Sequence, residues 1–204
     1  MVFLSATITL SNQNKLEISQ NLSNIEFTGR DRRDAQLPSW GIMSNSGTLE
    51  ARDDNGVLKQ YAKDGLLENA TIDIYLNVNS RKEHKGKFVI TSAEKNRLNG
   101  FVKLEFVDIL KSWQKKEMPR YYYPVFPESI YLKDILESIA QEAGITINYA
   151  DSTTEERLDF LSIVFPKIEE GSLWAQITKI CEVGSCYVYC DDNGVPNIYY
   201  GGGT

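Results

Sequence analysis

The sequence predicts a β-rich α+β protein with two domains. Residues 1–118 contain about six short segments of strand character, separated by Gly- and Asn-rich turns, which favours a small β-barrel or sandwich. Residues 119–204 contain two segments with helical periodicity, each followed by a glycine and a strand, which predicts a helix–strand α+β domain. The boundary is expected at Pro119–Pro127, where three of the six prolines fall within nine residues, because proline fixes φ and removes a backbone donor.

Strand-like alternation begins near the N-terminus. Apolar residues predict two early strands at Thr7–Leu10 and Leu16–Phe27, and a turn-rich passage over 37–47 leads into a third strand at Thr48–Arg52. The next residues, Asp53-Asp54-Asn55-Gly56, predict a turn, because Asn and Gly tolerate positive φ. Their carboxylates lack the alternate spacing and the distal Glu of a calcium loop, so a turn is favoured over a calcium site.

The rest of the first domain is expected to consist of a short helix, three stronger strands and a closing helix. The first helix comes before Gly65, and Asp108 is expected to cap the closing helix. The helical positions are Val57, Leu58, Tyr61 and Ala62, then Ile109, Leu110 and Trp113, and the strands are Thr71–Val78, Lys87–Ser92 and Phe101–Val107.

The cleanest helix of the chain follows the proline cluster. Its apolar positions keep a period of about 3.6 residues and end at Gly144, which supplies a left-handed cap. A strand at Ile145–Tyr149 follows, and the same pattern returns 41 residues later in a helix with Ser172 as N-cap and Gly184 at its end. The first stripe contains Leu132, Ile135, Leu136, Ile139, Ala140 and Ala143, and the second contains Leu173, Ile177, Ile180 and Cys181. The second domain is thus a weak duplication of a helix–Gly–strand unit.

A hairpin is expected to close the second domain. Asp191-Asp192-Asn193-Gly194 repeats the earlier turn residues and should fold Tyr187–Cys190 back on Ile198–Tyr200. Pro196 cannot donate to a ladder, so the return strand is expected at the edge of its sheet. An unpaired edge followed by Gly201-Gly202-Gly203 would need more protein or a neighbouring subunit to cover it.

Charge is distributed unevenly between the two domains. Residues 1–118 carry 17 Lys and Arg against 15 Asp and Glu, while residues 119–204 carry 5 against 13, which gives +2 and −8. The acidic second domain disfavours non-specific nucleic-acid binding, and the basic clusters Arg30–Arg33 and Arg81–Lys87 are interpreted as solvated loops. The N-terminus lacks the features of a signal peptide or membrane span, so we expect a soluble chain made in the cytosol.

The residue types that carry catalysis do not form a recognisable motif. His84, the only histidine, lies among charged residues and is interpreted as solvated, and no P-loop, G-x-G-x-x-G or G-x-S-x-G motif occurs. The carboxylate doublets Glu155–Glu156 and Glu169–Glu170 lie in polar loops where nothing apolar would raise a pKa. We therefore expect no catalytic residue and no cofactor, and a protein that is not an enzyme.

The three cysteines are expected to be buried free thiols. Cys181, Cys186 and Cys190 match no common zinc spacing. Cys186 and Cys190 share one face of a strand at about 3.3 Å rise per residue, which places them about 13 Å apart and too far for a disulfide. We therefore interpret the three cysteines as small apolar side chains buried in the core, and we expect no metal site.

Two runs of motifs together span most of the chain. The first is Leu37-Pro38-Ser39-Trp40-Gly41-Ile42-Met43-Ser44-Asn45-Ser46-Gly47, then a strand, an Asp-x-Asn-Gly-type turn and Tyr61–Leu67. The second is Leu132-Lys133-Asp134-Ile135-Leu136, Ala140, Gly144-Ile145, then Ser172-Leu173-Trp174, Ile177, Ile180-Cys181 and Tyr187-Val188-Tyr189 with Asp192-x-Gly194. In this order they resemble the N-terminal part of tail and baseplate hub proteins from phages and prophages of Gram-positive bacteria.

The resemblance implies a structural role and a set of partners. Hubs of this family form a symmetric ring, typically a trimer, at the tail tip, where it joins the tail tube to the host-facing spike or fibres. Members usually run well beyond the length of this chain, which would then be the first two domains of a longer protein. The resemblance thus implies other tail and baseplate proteins as partners, a homotrimer in the full-length form, and a location in the virion after synthesis in the host cytoplasm.

Two other classes of function stay open from the sequence. The 11 tyrosines and 3 tryptophans on a β-rich scaffold would suit a module that binds host-surface polysaccharide, provided that several rings lie coplanar and exposed in one groove. Core packing is the favoured interpretation of these rings. A cell-wall hydrolase would require two carboxylates that face each other across a cleft.

Overall fold

The computed structural model describes residues 2–18, 22–28, 41–79, 81–95, 100–119, 121–122, 130–163, 167–168 and 171–201. The described residues divide into two compact units. The first is drawn from Met1–Arg30, Asn45–Ile109 and Asp192–Gly194, and the second from Asp31–Ser44, Leu110–Asp191 and Val195–Thr204.

The chain passes from the first unit into the second between Ile109 and Leu110. The sequence suggested this boundary later in the chain, between residues 118 and 119. The part of Pro119–Pro127 that contains Pro124 and Pro127 lies outside the described residues. Its role as a linker therefore stays a prediction.

The chain consists of many strands with helices between them. In chain order the strands are β1 (Val2–Thr9), β2 (Lys15–Ile18), β3 (Leu22–Thr28), β4 (Gly41–Ile42), β5 (Ser46–Arg52), β6 (Thr71–Val78), β7 (Arg81–Lys95), β8 (Phe101–Val107), β9 (Glu117–Met118), β10 (Tyr121–Tyr122), β11 (Ile130–Tyr131), β12 (Asn148–Tyr149), β13 (Ser162–Ile163), β14 (Lys167–Ile168), β15 (Gly171–Ser172), β16 (Cys186–Cys190) and β17 (Pro196–Tyr200). The α-helices are α1 (Val57–Lys63), α2 (Leu132–Ala143), α3 (Ser152–Phe160) and α4 (Leu173–Gly184), and a 3-10 helix spans Ile109–Gln114.

The first unit is built around one antiparallel sheet of seven strands, in the order β2-β1-β6-β7-β8-β5-β3. In β8, Val102, Leu104 and Phe106 are buried and the residues between them are partly exposed. This alternation is what a sheet with one face in the core requires. Apolar residues from the strands join Leu58 of α1 in a single buried cluster.

The sheet of the first unit does not close on itself within the described residues. β2 and β3 are neighbours in sequence, yet they lie at opposite ends of the strand order and do not pair. The β-rich α+β class is confirmed, but the expected barrel or sandwich is replaced by a single sheet. Alternation of apolar residues predicts which face of a strand is buried, and it carries no information on whether the outermost strands meet.

β7 is longer than the sequence predicted. Its first half, Arg81–Lys87, was expected as a solvated loop but pairs with β6. The register shifts between Ile74 and Tyr75 of β6, so Lys85 has no direct partner there. A bulge of this kind breaks the alternation of apolar and polar residues, which explains why the basic stretch does not read as a strand.

The predicted turn at Asp53–Gly56 is present and leads directly into α1. The buried carboxylate of Asp53 accepts hydrogen bonds from the backbone N–H groups of Leu58 (3.1 Å) and Lys59 (3.0 Å). It therefore satisfies amides that the first helical turn cannot pair internally. The short helix that was predicted before Gly65 is confirmed.

A short helix is present at the predicted position, as the 3-10 helix, but its buried residues Leu110 and Trp113 belong to the core of the second unit and do not close the first. Asp108 precedes it and is itself buried. Its carboxylate accepts a hydrogen bond from the backbone N–H of Asn45 (2.5 Å), while its own N–H donates to the Asn45 carbonyl (2.9 Å).

The two predicted helices, α2 and α4, contribute many residues to the core of the second unit. Every residue predicted for the apolar stripe of α2 is buried, and Gly144 adopts the left-handed cap conformation (φ 61°). In α4 the hydroxyl of Ser172 accepts a hydrogen bond from the Ala175 N–H (3.2 Å), as expected for an N-cap. The left-handed position after α4 is Ser185 rather than Gly184; a Cβ on Gly184 would lie 3.1 Å from the Leu158 side chain, so close packing accounts for this glycine.

The small sheet of the second unit has the order β12-β17-β16-β4. The predicted hairpin is confirmed, with the Asp191 carboxylate accepting from the Val195 N–H (2.9 Å). The prediction that Pro196 places β17 at an edge is wrong, because β17 also pairs in parallel with β12. Pro196 is the first residue of β17 and the pairing with β12 begins at Asn197, so the missing N–H costs no bond to β12. The edge of β17 that was expected to be unpaired is therefore occupied by β12.

α3 was not predicted, and Glu155–Glu156 lie within it rather than in a polar loop. Asp151 caps the helix by accepting a hydrogen bond from the Thr154 N–H (2.7 Å). Only Thr154 and Leu158 are buried among the residues of α3. Two buried positions form too narrow a stripe to be recognised by hydrophobic periodicity.

Candidate interaction surfaces

His84 lies on β7 and is opposite Tyr75 of β6. The interpretation of His84 as a solvated loop residue is therefore wrong. Its Nε2 lies 3.0 Å from Oδ1 of Asp73 on β6, and its ring stacks on Tyr75 with a centroid distance of 4.9 Å. Burial, and then the charge of Asp73, raises the pKa of Tyr75. The arrangement ties β6 to β7, which is a structural use of the histidine.

The predicted doublet Glu155–Glu156 does not present two carboxylates to a common point. Glu155 forms an ion pair with Lys133 of α2 (Oε1–Nζ 2.9 Å), and this hydrogen bond raises the pKa of Lys133. The hydroxyl of Tyr149 donates to Glu137 (3.1 Å), and burial together with that carboxylate raises the pKa of Tyr149. The carboxylates here join α2 to α3 by an ion pair and α2 to β12 by a hydrogen bond. The second doublet, Glu169–Glu170, lies outside the described residues.

The three cysteines are buried free thiols, as predicted. Burial raises the pKa of Cys181, and it raises the pKa of Cys186 to about 11. The Sγ of Cys186 donates to the Gly184 carbonyl (3.3 Å). Thiolate is the reactive form of cysteine, so these side chains act as packing residues.

Three tyrosines on the hairpin of the second unit stack on one another. The rings of Tyr187 and Tyr189 each lie parallel to that of Tyr199, within 8–9°, at centroid distances of 5.4 and 4.1 Å. Tyr189 is only 8% exposed. A platform for sugars needs free ring faces side by side, whereas these rings cover each other's faces. The arrangement therefore indicates packing.

One end of the β1–β6–β7 sheet presents aromatic and basic side chains on its outer face. Phe3, Asn77 and Lys82 lie directly opposite one another on three neighbouring strands. The Lys82 Nζ lies 3.9 Å from the centroid of the Tyr75 ring, a cation–π contact. Phe3 is 46% exposed and Lys82 is exposed, and the carboxylate of Asp73 lies on the same face. We call Phe3, Tyr75 and Lys82 the first-unit aromatic patch.

The C-terminal end of α3 presents aromatic and acidic side chains. Glu156 and Phe160 are four residues apart and therefore lie on the same side of the helix, and Phe160 is 76% exposed. Tyr131 lies beside the end of α3, because β11 pairs with β13 just after the helix, and its side chain is exposed. We call Tyr131, Glu156, Asp159 and Phe160 the acidic aromatic patch.

Neither patch was predicted from the sequence. A phenylalanine in a strand or at a helix end reads as a core residue, so Phe3 and Phe160 carry no local signal of exposure.

The fold of the chain is that of solved phage and prophage tail proteins. A tail protein from Neisseria meningitidis superposes with a TM-score of 0.53 at 8% identity, covering 96% of this chain and 50% of that protein. The 43 kDa tail protein of prophage MuSo2 from Shewanella oneidensis gives 0.56 at 8% identity, covering 95% and 52%. The prophage tail protein gp18 from Listeria monocytogenes gives 0.53 at 9% identity, covering 96% and 50%.

The likeness extends over both units but is one of fold alone, because the identities are so low. The chain spans about half the length of these tail proteins. They come from three bacterial genera, so the likeness does not single out the Gram-positive hosts that the sequence suggested. No protein-family model and no curated protein sequence matches the chain. Among the described residues, no helix has the length and apolar character needed to cross a bilayer.

Proposed function

We propose that this chain is a structural component of a phage or prophage tail, at the tail tip or baseplate hub. The observation that carries the proposal is the extent of the fold likeness, which takes in 95–96% of the chain in three tail proteins. A small domain shared by chance would match one unit only, whereas here the match takes in both units. The motif order read from the sequence supports the same assignment independently.

The contacts of the polar side chains support a role without catalysis. His84 is engaged with Asp73 and Tyr75, Glu155 with Lys133, and the thiols are buried. His84, Glu155 and the thiols each stabilise the fold through these contacts. The partners proposed are other tail and baseplate proteins, with a homotrimeric ring in the longer protein, synthesis in the host cytoplasm and a final location in the virion.

Gene disruption in the phage or lysogen that encodes the chain tests this role. Induction of the disrupted strain should give heads and tail tubes that fail to mature into infectious particles, and a plasmid copy of the full-length gene should restore them. A plasmid copy carrying an early stop codon is the matched control. Particles of normal titre and normal tail morphology without the gene would overturn the proposal.

A further inference from the structure

We propose that the acidic aromatic patch docks a cationic, apolar segment of another tail or baseplate protein. The patch consists of Tyr131, Glu156, Asp159 and Phe160 in the second unit. The inference rests on the proposed tail role for the class of protein that supplies the segment. It adds the surface that is used and the chemistry of the partner, which is an aromatic or aliphatic side chain with Lys or Arg beside it.

The geometry of α3 brings two carboxylates and the Phe160 ring onto one exposed face. Thr154 and Leu158 are the buried residues of α3. Because each residue of a helix turns by about 100°, Glu156 lies opposite these two, and Asp159 and Phe160 lie about one turn further along on either side of it. Phe160 is 76% exposed. Its ring therefore contributes little to the core and is available to a partner.

Tyr131 adds a second exposed ring at the end of α3. It pairs with Ser162, just beyond the helix, and its side chain is 43% exposed. The hydrogen bond to Glu155 raises the pKa of Lys133, two residues after Tyr131, and the charge of Asp159 adds to this effect. The start of α2 is therefore close to Asp159, so two rings and two carboxylates share one end of α3.

The negative charge of the patch is not balanced by the cations nearest to it. The ammonium of Lys133 is shared, because it pairs with Glu155 (Nζ–Oε1 2.9 Å) and also lies near Asp159. The guanidinium of Arg157 lies over the Tyr200 ring, with 5.3 Å between its Cζ and the ring centroid. The patch therefore carries excess negative charge beside an exposed apolar ring.

The positions of the carboxylates in the helix lead to the same partner. Glu156 and Asp159 are three residues apart, so their like charges are neighbours. Asp159 also lies in the last turn of α3, where the negative end of the helix dipole makes a carboxylate unfavourable. A cation from a partner relieves both effects while its apolar group covers Phe160. The first-unit aromatic patch of a second copy does not supply this chemistry, because Asp73 shares its face with Lys82.

Photo-crosslinking in assembled particles tests the docking. The full-length protein would carry p-benzoylphenylalanine in place of Phe160, and irradiated particles would be analysed by mass spectrometry. We expect a cross-link to a different tail protein, in a segment with Lys or Arg beside an apolar side chain. The matched control places the same photoreactive residue at Gln141, which is exposed at the opposite end of α2 from Tyr131, and should not give this cross-link. A cross-link from Phe160 to a second copy of the chain, one to a segment without a cation, or none at all would each overturn the inference.

Charge reversal at Glu156 tests the electrostatic part of the docking. In the photoreactive protein, Glu156→Lys should lower the yield of the cross-link roughly tenfold, because the new charge repels the cation of the partner. Glu142→Lys makes the same exchange at an exposed position of α2 and should leave the yield unchanged. Replacement of the partner's cation by Glu should restore the cross-link to the reversed variant.

Stability measurements separate lost docking from misfolding. The urea midpoint of Glu156→Lys should not fall below that of the wild type, because this side chain lies opposite the buried positions of α3. An unchanged cross-link yield in Glu156→Lys, or no recovery with the exchanged partner, would contradict a cationic segment.

This experiment and the test of the tail role fail in different ways. If gene disruption abolishes infectious particles but Phe160 does not cross-link as expected, the docking alone is overturned. Normal particles after gene disruption would overturn the tail role and, with it, the class of partner proposed for the patch.

Discussion

Thr154 joins the start of α3 to the small sheet of the second unit. Its hydroxyl donates to Asp151 Oδ1 (2.7 Å) and accepts a hydrogen bond from the Tyr200 N–H (3.0 Å). The Thr154 side chain is buried, so the Tyr200 N–H depends on this hydroxyl for a bond that water cannot readily replace. One small polar side chain thus fixes a helix that has little apolar surface of its own.

Replacement of Thr154 by Val removes the hydroxyl and keeps the shape of the side chain. We expect Thr154→Val to lower the free energy of unfolding by about 2 kcal/mol, because the Tyr200 N–H loses its acceptor. Thr154→Ser keeps the hydroxyl and loses one methyl group, so it should cost about 1 kcal/mol. Urea unfolding followed by tryptophan fluorescence measures both values. Equal losses in the two variants would show that packing, not the hydroxyl, matters here.

Asp151 gives the second unit a dependence on pH. The hydrogen bond from the Thr154 N–H, followed by that from its hydroxyl, lowers the pKa of Asp151 below its usual value of 3.8. A carboxyl with a lowered pKa in the folded state stabilises fully above the unfolded pKa, and loses this contribution as pH falls through the folded pKa. Asp151→Asn keeps an acceptor without the charge.

The wild type should therefore be more stable than Asp151→Asn near neutral pH, and the difference should shrink toward zero as pH falls through the acid range. Urea unfolding of both proteins from about pH 6 to about pH 2 measures this difference. A constant difference across the whole range would mean that ionisation of Asp151 contributes nothing to stability.

The sequence predicted the environment of some residues and not of others. The burial of Cys181, Cys186 and Cys190 was predicted, because their spacing places them on the apolar faces of a helix and a strand. The setting of His84 was not, because its partners Asp73 and Tyr75 are on another strand and the bulge at Lys85 disguises the pairing.

Gly47 in β5 has no room for a side chain. A Cβ there would lie 2.5 Å from the Glu26 carbonyl oxygen of β3 and 2.6 Å from the Phe106 ring. We expect Gly47→Ala to destabilise the first unit by about 3 kcal/mol, because backbone and a packed ring must both move.

Gly65 is the matched comparison, because it is left-handed (φ 70°) but has open space around its Cβ position. Gly65→Ala should cost about 1 kcal/mol from backbone strain alone. Thermal unfolding of the two variants ranks them, and a larger loss at Gly65 would contradict the packing seen around Gly47.

Ile139 tests whether α2 belongs to the core of the second unit. The side chain is fully buried in the apolar cluster of that unit. Ile139→Asp should cost about 4 kcal/mol or prevent folding, because a charge would be buried without a partner. Ser138→Asp, on the exposed side of the same helix, should stay within about 0.5 kcal/mol. Urea unfolding that gives similar losses for both would remove α2 from the core.

Elements with a wide apolar stripe were predictable, and elements held by specific contacts were not. α2 and α4 show the full helical period and were predicted with their N-terminal or C-terminal caps. α3 buries little and depends on the Asp151 cap and Thr154. The sequence analysis placed β17 at an edge because Pro196 has no N–H to donate. Nothing near Pro196 in the sequence indicates that β12 pairs with β17 from Asn197 onward.

At the scale of the whole molecule, the order of motifs was more informative than any single residue. It suggested a tail or baseplate hub, and the fold likeness to tail proteins agrees with it. The open arrangement of the large sheet and the two aromatic patches could not be predicted, because both depend on which distant segments come together.

Location of the chain in assembled particles tests the central claim most directly. Particles would be purified from a strain in which the gene carries an epitope tag, and gold-labelled antibody would be imaged by negative-stain electron microscopy. Particles from the untagged strain serve as control. The account predicts gold at the tail tip, at the end of the tube away from the head. Gold on heads, gold along the whole tube, or tagged protein found only outside particles would contradict it.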